Sequence, residues 1–196
     1  METISNILFF ISNGLLVPVV IVLLVFSLKA LLVAFNFFGD YQQRKKTLAE
    51  TAFINSNNRS VITDGIQQLK AEKNLYLRDL QLLLENRDND AYCERLIANY
   101  EVEANQRLSQ PRLLMKLGPM LGLMGTLIPM GPALVGLANG DISSMAYNMQ
   151  VAFSTTVVGL VIAVIGIVTL QVKQRWFALE MNNLEYVDQI LRYEKH

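Results

Sequence analysis

The sequence has few of the residues that form cross-links, metal centres or nucleophilic active sites. Its 196 residues include one cysteine, Cys93, and one histidine, His196. A single cysteine excludes an internal disulfide, and Cys93 is expected to be a small, semi-buried residue. No His, Cys or carboxylate cluster at ligand spacing, nucleophile–base pair or phosphate-binding loop occurs in the sequence. These absences argue against an enzyme, a metal site and a bound cofactor.

Charge is also scarce. Charged residues make up 17% of the chain and hydrophobic residues 52%, whereas about 25% of the residues in a soluble domain are charged. The net charge is zero, which argues against a nucleic-acid partner. Because the deficit is concentrated in three long apolar runs, the composition predicts an integral membrane protein of one domain's length.

Each of the three runs is long enough to cross a bilayer, which takes about 20 apolar helical residues. The first extends from Ile7 to Phe38 and lacks the basic region and cleavage site of a signal peptide, so it is predicted to be a retained anchor. The others lie within 117–138 and 142–171, carry no acidic or basic side chain, and are joined by a turn at 138–141. The sequence therefore predicts an all-α membrane protein with three transmembrane helices.

The distribution of Lys and Arg predicts the orientation. Arg44, Lys45 and Lys46 follow the first run, and Lys173 and Arg175 follow the third. Since basic residues are retained in the cytoplasm, the N-terminus is predicted outside and the C-terminus inside. Residues 1–38 are expected to form the outside N-terminus with helix 1, and residues 39–112 a cytoplasmic helical region. Residues 113–172 are expected to form a transmembrane hairpin, and residues 173–196 a cytoplasmic amphipathic helix.

Two residues are predicted to anchor the helices at the membrane interface. Lys29 lies late in the first run, and the favoured interpretation is that its ammonium reaches the inner interface. The alternative is a pore or partner contact, since a charge within a membrane helix is often functional. Trp176 follows Lys173 and Arg175, as aromatic anchors do at the end of a span.

Small residues recur three or four positions apart in the second and third runs. In lipid, such residues allow helices to approach closely. The two stripes therefore predict an interface, either with each other or with a third helix. The residues predicted to pack there are Gly118, Gly122, Gly125 and Pro129 in the second run and Ala152, Gly159, Ala163 and Gly166 in the third. Thr156 lies inside the stripe of the third run.

Hydroxyl groups lie on or beside these stripes. A single threonine in a membrane helix most often donates to a carbonyl three or four residues earlier in its own helix. Thr126, Ser154, Thr155 and Thr156 are grouped near the middle of their runs, however, and the grouping favours a polar pathway for an ion.

The polar segments have helical patterns of their own. Apolar residues at helical spacing between 60 and 110 predict packed helices, with a loop at 55–58 and a turn at 86–90. Pro111 marks either the start of the next helix or a bend. Near the C-terminus, Leu179, Leu184, Val187 and Leu191 predict an amphipathic helix that packs on the 60–110 helices or on a neighbouring subunit.

Two motifs resemble those of the MotA/TolQ/ExbB proton-channel family. The family's Gly-Leu-x-Gly-Thr is similar to Gly-Leu-Met-Gly-Thr at 122–126, and its Ala-Leu-x-x-Thr-x-x-Gly-Leu is similar to Ala-Phe-Ser-Thr-Thr-Val-Val-Gly-Leu at 152–160. Three spans with a cytoplasmic insert after the first are similar to the TolQ/ExbB branch.

The resemblance implies an inner-membrane, channel-forming subunit of an energy-transducing motor. It implies a homopentamer, surrounded by membrane lipid, around two copies of a single-span partner of the ExbD/TolR/MotB kind, whose aspartate carries the proton. Thr126 and Thr156 match the family threonines that line the route. Proton flow would then drive mechanical work or transport, including protein transport, across the cell envelope.

Departures from the family pattern keep alternatives open. Val151 replaces a common glutamate, Pro129 replaces a common glycine, and a common proline is missing near Ile165. Thr155 beside Thr156 would suit Na⁺, a hard cation that prefers oxygen ligands, although H⁺ is the family's default ion. A scaffold that packs helices and conducts no ion is the alternative from another class.

Overall fold

The computed structural model describes residues 2–56, 58–69 and 74–192. These residues form helices and connecting turns without any strand. Three helices are long and apolar enough to cross a membrane. The structure therefore confirms the predicted all-α protein with three candidate transmembrane helices; the orientation of the termini stays a prediction.

The helices follow one another in the order α1 to α6, with a short 3₁₀ helix at Ala52–Asn55 after α1. Their bounds are α1 Glu2–Glu50, α2 Arg59–Gln67, α3 Leu75–Glu85, α4 Asp90–Arg107, α5 Ser109–Ala138 and α6 Ile142–Arg192. Three of them cross the predicted segment boundaries, because α1 continues past residue 38, α5 begins before residue 113 and α6 continues past residue 172. The C-terminal amphipathic segment is thus the C-terminal part of α6, from residue 173 to 192, and residues 193–196 lie outside the described part of the chain.

The chain divides into two compact units. The first, called here the apolar unit, contains Met1–Asn36 and Gln110–Leu170. The second, called here the polar unit, contains Phe37–Ser109 and Gln171–His196.

The apolar unit contains the beginning of α1, nearly all of α5 and the first part of α6. Leu23 and Ala30 of α1 are buried with Leu114 of α5 and Ile162 of α6 in one cluster. Most other large apolar side chains of α1 are exposed, including Phe35, which is 81% exposed. A helix that is apolar on all sides and covered on one side needs lipid or another polypeptide around the rest.

The polar unit has a core of its own. Asparagine residues lie directly before three of its helices and cap them. Asn58, Asn74 and Asn89 each accept a backbone hydrogen bond at the first turn, from Ser60, Tyr76 and Tyr92, each at 3.1 Å. Such caps satisfy amide groups that have no partner within the helix. The core consists of Ile54, Ile62, Ile66, Leu69, Tyr76, Leu77, Leu80, Leu83, Cys93, Tyr100, Ala104, Leu184, Val187 and Leu191.

Several local predictions are confirmed in this unit. A turn separates α3 from α4 at 86–89, and Cys93 is a core residue, more deeply buried than predicted. Asn55 ends the 3₁₀ helix and residues 56 and 58 lie between helices, whereas residue 57 of the predicted loop lies outside the described residues. In the apolar unit, Pro111 lies in the first turn of α5, where its missing amide proton costs no helical hydrogen bond. The predicted packing of the C-terminal helix on the 60–110 helices is also observed.

One predicted core position is wrong. Leu179 is 50% exposed, whereas the neighbouring Glu180 is 7% exposed. The Arg44 guanidinium donates a hydrogen bond to the Glu180 carboxylate, and the Tyr100 hydroxyl donates another to the same carboxylate. Burial raises the pKa of Glu180 above its ordinary value, against the lowering effects of Tyr100 and Arg44. The apolar repeat of α6 is thus interrupted by a buried charge that has partners.

Candidate ion-pathway site

The site is built on the hairpin formed by α5 and α6 within the apolar unit. The connection between the helices is three residues long, 139–141, and Gly140 adopts a φ of 74°, a left-handed conformation that glycine adopts without strain. The Asp141 side chain accepts a hydrogen bond from the Ser144 amide at 3.0 Å, which caps α6. Short connections of this kind place the two helices antiparallel and adjacent.

Glycine residues bring the two backbones into contact. A Cβ added to Gly118 would lie 2.7 Å from the Gly159 carbonyl oxygen and 2.9 Å from the Ala163 amide nitrogen. A Cβ added to Gly166 would lie 2.5 Å from the Met115 amide nitrogen. Ordinary side chains therefore do not fit at these positions, and the close approach replaces the hydrophobic drive that lipid cannot supply.

All eight residues predicted to pack helices are buried. Gly118, Gly122, Gly125 and Pro129 are buried on α5, and Ala152, Gly159, Ala163 and Gly166 are buried on α6. The two stripes face each other across the hairpin, as the glycine contacts describe. The sequence left two alternatives for these stripes, an interface with each other or with a third helix, and the structure shows the first.

The buried threonine at this interface is Thr155 rather than Thr156. Thr155 is 6% exposed, and a Cβ added to Gly125 would lie 2.6 Å from its Oγ1. Thr156 is half-buried at the edge of the interface. The difference follows from helix geometry, because successive residues are rotated by about 100° and Thr155 faces the gap that Gly125 leaves.

Thr126 and Thr156 lie at the same level of the hairpin, since each is the next residue after a member of the Gly125–Thr155 contact. Thr126 Oγ1 donates to the Leu123 carbonyl at 2.7 Å, and Thr156 Oγ1 donates to the Ala152 carbonyl at 3.2 Å. Both side chains are half-buried. Because each hydroxyl donates its hydrogen bond to the backbone, its oxygen lone pairs remain available to accept a hydrogen bond from another group.

Ser154 is not brought together with these two threonines. It is exposed, and its Oγ donates to the Gln150 carbonyl at 2.8 Å. Two residues along a helix correspond to a rotation of about 200°, so Ser154 and Thr156 lie on nearly opposite faces of α6. Thr155 donates to the Ala152 and Val151 carbonyls at 2.9 and 3.1 Å and stays inside the hairpin.

The two predicted anchors lie outside the hairpin. Lys29 is exposed on α1, with its Nζ 5.7 Å from the centroid of the Phe26 ring. In the polar unit, the Trp176 ring stacks on Phe37 with centroids 5.7 Å apart and an interplanar angle of 7°. Sequence reasoning missed the burial of Arg44 and Glu180, although Glu180 occupies an apolar-repeat position seven residues before Val187.

Chemically, the site offers oxygen acceptors and close helix packing rather than a metal or a nucleophile. Among the described residues, no group of His, Cys, Asp or Glu side chains is arranged to hold a metal ion. With three membrane-length helices, two of them in contact through glycines and carrying hydroxyl groups beside that contact, the chain has the features of a helical membrane protein.

Comparison with known proteins gives the family. Residues 55–186 match the MotA/TolQ/ExbB proton channel family, and the chain belongs to that family. Membership implies a multi-pass inner-membrane protein that acts as a proton channel in an energy-transducing complex, in a family of channel and scaffold proteins rather than known enzymes. It also suggests assembly with a single-span ExbD/TolR/MotB-like subunit. No curated protein matches the chain.

Proposed function

We propose that this chain is the channel-forming subunit of a proton-driven motor, with its N-terminus outside and its C-terminus in the cytoplasm. In this role it uses the proton motive force to do mechanical work or drive transport across the cell envelope. The proposal is supported by family membership and by the hydroxyl groups beside the α5–α6 contact. The basic residues after the first and third apolar runs support the orientation.

The observation that carries the proposal is the pair Thr126 and Thr156 at one level of the hairpin. Each hydroxyl donates a hydrogen bond to a carbonyl of its own helix, and the lone pairs of its oxygen can accept a hydrogen bond. The stretches 117–138 and 142–171 contain no carboxylate of their own. A proton relay through this level therefore requires an acid from another polypeptide, which is costly in lipid unless it meets polar oxygens.

A single-span partner with a membrane aspartate supplies the missing acid. The protonated aspartate donates a hydrogen bond to the threonine oxygens, and the deprotonated one is solvated by water along the same route. Two copies of this partner are enclosed by five copies of the chain. The exposed apolar side chains of α5 and α6, such as Leu127 at 61% and Phe153 at 65%, supply surface for these contacts.

Replacement of the two hydroxyls tests the pathway. Thr126→Val and Thr156→Val each remove an oxygen with little change in volume, so both variants should fold and assemble. In proteoliposomes that contain the chain and its single-span partner, we expect proton flux to fall at least tenfold, a change of about 1.4 kcal/mol in barrier height. Ser154→Ala is the matched control, because Ser154 lies on the opposite face of α6 and its loss should leave the flux unchanged.

The same experiment separates the rival functions. Unchanged flux in both threonine variants would remove the hydroxyls from the mechanism and favour a packing scaffold. Flux that requires Na⁺ and is insensitive to the pH gradient would favour the sodium-driven version. That version has less support, because Thr155 is buried against Gly125 and does not share a face with Thr156.

The assembly state is tested without the partner. The full chain in mild detergent should give the mass of five copies in native mass spectrometry, because the exposed apolar faces of the hairpin need cover beyond what α1 provides. A stable monomer or dimer over a range of detergents would contradict the pentamer.

A further inference from the structure

A groove in the polar unit lies between α1 and α6. Its volume is about 660 Å³. The side chains that line it include Arg44 and Leu48 from α1 and Val172, Arg175, Trp176 and Leu179 from α6. None of the ion-pathway residues lies in it, so the groove is separate from the site proposed to conduct protons.

The charged side chains of the groove are mainly cationic. Arg44 is nine-tenths buried, one of its terminal nitrogens donates to Glu180, and its Nε is buried without a hydrogen-bond partner among the described residues. Arg175 is exposed and forms no ion pair within the described part of the chain. The nearby Asp40 carboxylate is paired with Lys173 at 2.6 Å. Two guanidinium groups therefore share the groove with no carboxylate left to neutralise Arg175.

The remaining walls are apolar. Leu48, Val172 and Leu179 line the groove beside the Trp176 ring, and the Arg44 guanidinium carbon lies 5.9 Å from the centroid of that ring. A free inorganic anion gains nothing from such walls, whereas an anion that carries hydrocarbon buries its chain against them. The composition of the groove therefore fits an amphiphile.

The chain positions of these residues fit the membrane interface. Val172 directly follows the uncharged stretch that ends at Gln171, and Arg44 follows Phe38, the end of the first apolar run, by six residues of the same helix. At about 1.5 Å per residue, six residues correspond to about 9 Å along the helix axis. Arg and Trp side chains at this distance from an apolar run are at the depth of lipid headgroups.

We propose that this groove binds an anionic phospholipid, with the phosphate held by Arg175 beside the positive charge of Arg44 and the first acyl carbons against Leu48 and Val172. Guanidinium groups form paired, charge-assisted hydrogen bonds with phosphate oxygens. The bound lipid would join α1 to α6 at a fixed depth. The proposal requires that the chain spans a membrane, and it does not depend on proton conduction.

Trp176 is the only tryptophan in the chain, so the groove contains its own fluorescent probe. Bromine on the acyl chain of a lipid quenches tryptophan on contact. We would place the full chain in nanodiscs of phosphatidylcholine and add either brominated phosphatidylglycerol or brominated phosphatidylcholine. The expected result is half-maximal quenching at a several-fold lower mole fraction of the brominated anionic lipid, with the preference reduced by salt.

Substitution of Arg175 tests the charge. Arg175→Gln should lower the preference for the anionic lipid about fivefold, which corresponds to about 1 kcal/mol for one basic residue near an anionic surface. Arg175→Lys should retain most of it. The matched control is Arg87→Gln, since Arg87 is also exposed but lies in the turn between α3 and α4. Circular dichroism verifies that each variant keeps its helical content.

Three results would overturn the proposal. Equal quenching by the two brominated lipids would mean that the groove has no anionic selectivity. An emission shift caused by inorganic phosphate alone, in phosphatidylcholine nanodiscs, would assign the groove to a free anion. Absence of quenching by any brominated lipid would mean that another protein surface, such as a second copy of the chain, covers Trp176. Proton flux is not measured in any of these arms, so they are independent of the proposed channel function.

Discussion

Gly125 of α5 lies directly against the Thr155 side chain of α6. A Cβ on Gly125 would come within 2.6 Å of both the Cβ and the Oγ1 of Thr155. The spacing of the hairpin at this level is therefore determined by a missing side chain on one helix and a threonine on the other. Thr126 and Thr156, the next residue on each helix, are held at the edge of the same contact.

We predict that Gly125→Ala destabilises the hairpin by about 1–3 kcal/mol, as overpacking of a well-packed contact does. The double variant Gly125→Ala/Thr155→Gly moves the small residue to the other helix and should recover part of that loss. The double variant should remain less stable than the wild type by about 1 kcal/mol, because glycine at position 155 is a poor helix former. Thermal unfolding of the full chain in detergent, followed by circular dichroism, measures both effects.

Gly39→Ala is the matched control for this prediction. No atom lies within 4 Å of a Cβ added to Gly39, which is also in a helix. The variant should therefore be neutral or more stable by up to about 1 kcal/mol. If Gly125→Ala behaved like Gly39→Ala, the close approach of α5 and α6 at this level would be disproved.

The buried Arg44–Glu180 pair gives a second prediction. Arg44→Met leaves a buried carboxylate without its cation and should cost about 3–5 kcal/mol, whereas the double variant Arg44→Met/Glu180→Met should be close to wild type or more stable. Lys173→Met is the control, because the Lys173–Asp40 pair is half exposed on its Asp40 side and such pairs contribute about 0–1 kcal/mol. Additive losses in the double variant would show that the two charges do not act as a pair.

The pH dependence of Arg44→Met is the third prediction. Burial raises the pKa of Glu180 above its ordinary value of 4.5, and the removal of Arg44, which lowers it, should raise it further. The folded variant then binds a proton at pH values where the unfolded chain does not. Its free energy of unfolding should accordingly fall as the pH rises through the range above 4.5.

The measurement is thermal unfolding of Arg44→Met and of the wild type at a series of pH values between 4.5, the ordinary pKa of glutamate, and neutrality. The loss of stability relative to wild type should shrink as the pH is lowered. Tyr76 does not contribute in this range, because burial raises its pKa to about 12. A constant difference between the two proteins at all pH values would contradict a raised pKa for Glu180 in the variant.

The elements that depend on local pattern were predictable. Three apolar runs indicated three membrane-length helices, and the turn between α3 and α4 followed from a cluster of Asn and Asp residues. The predictions failed where the rotation of a residue about the helix axis determines whether its side chain is buried. Leu179 and Glu180 are adjacent, so a rotation of about 100° exchanges the exposed residue for the buried one. The same rotation separates Thr155 from Thr156 at the α5–α6 contact.

By itself the sequence determined the helical class, the family and the positions of the small residues, because hydrophobic runs and motif residues are properties of the chain order. The packing of α5 on α6 brings the two small stripes together and makes Thr155 the threonine between them, and neither follows from the order of residues. The tertiary structure also decided that Glu180 is buried with Arg44. Burial of a charge is stable only when a partner from another helix reaches it, and that meeting depends on how the helices pack rather than on any one helix.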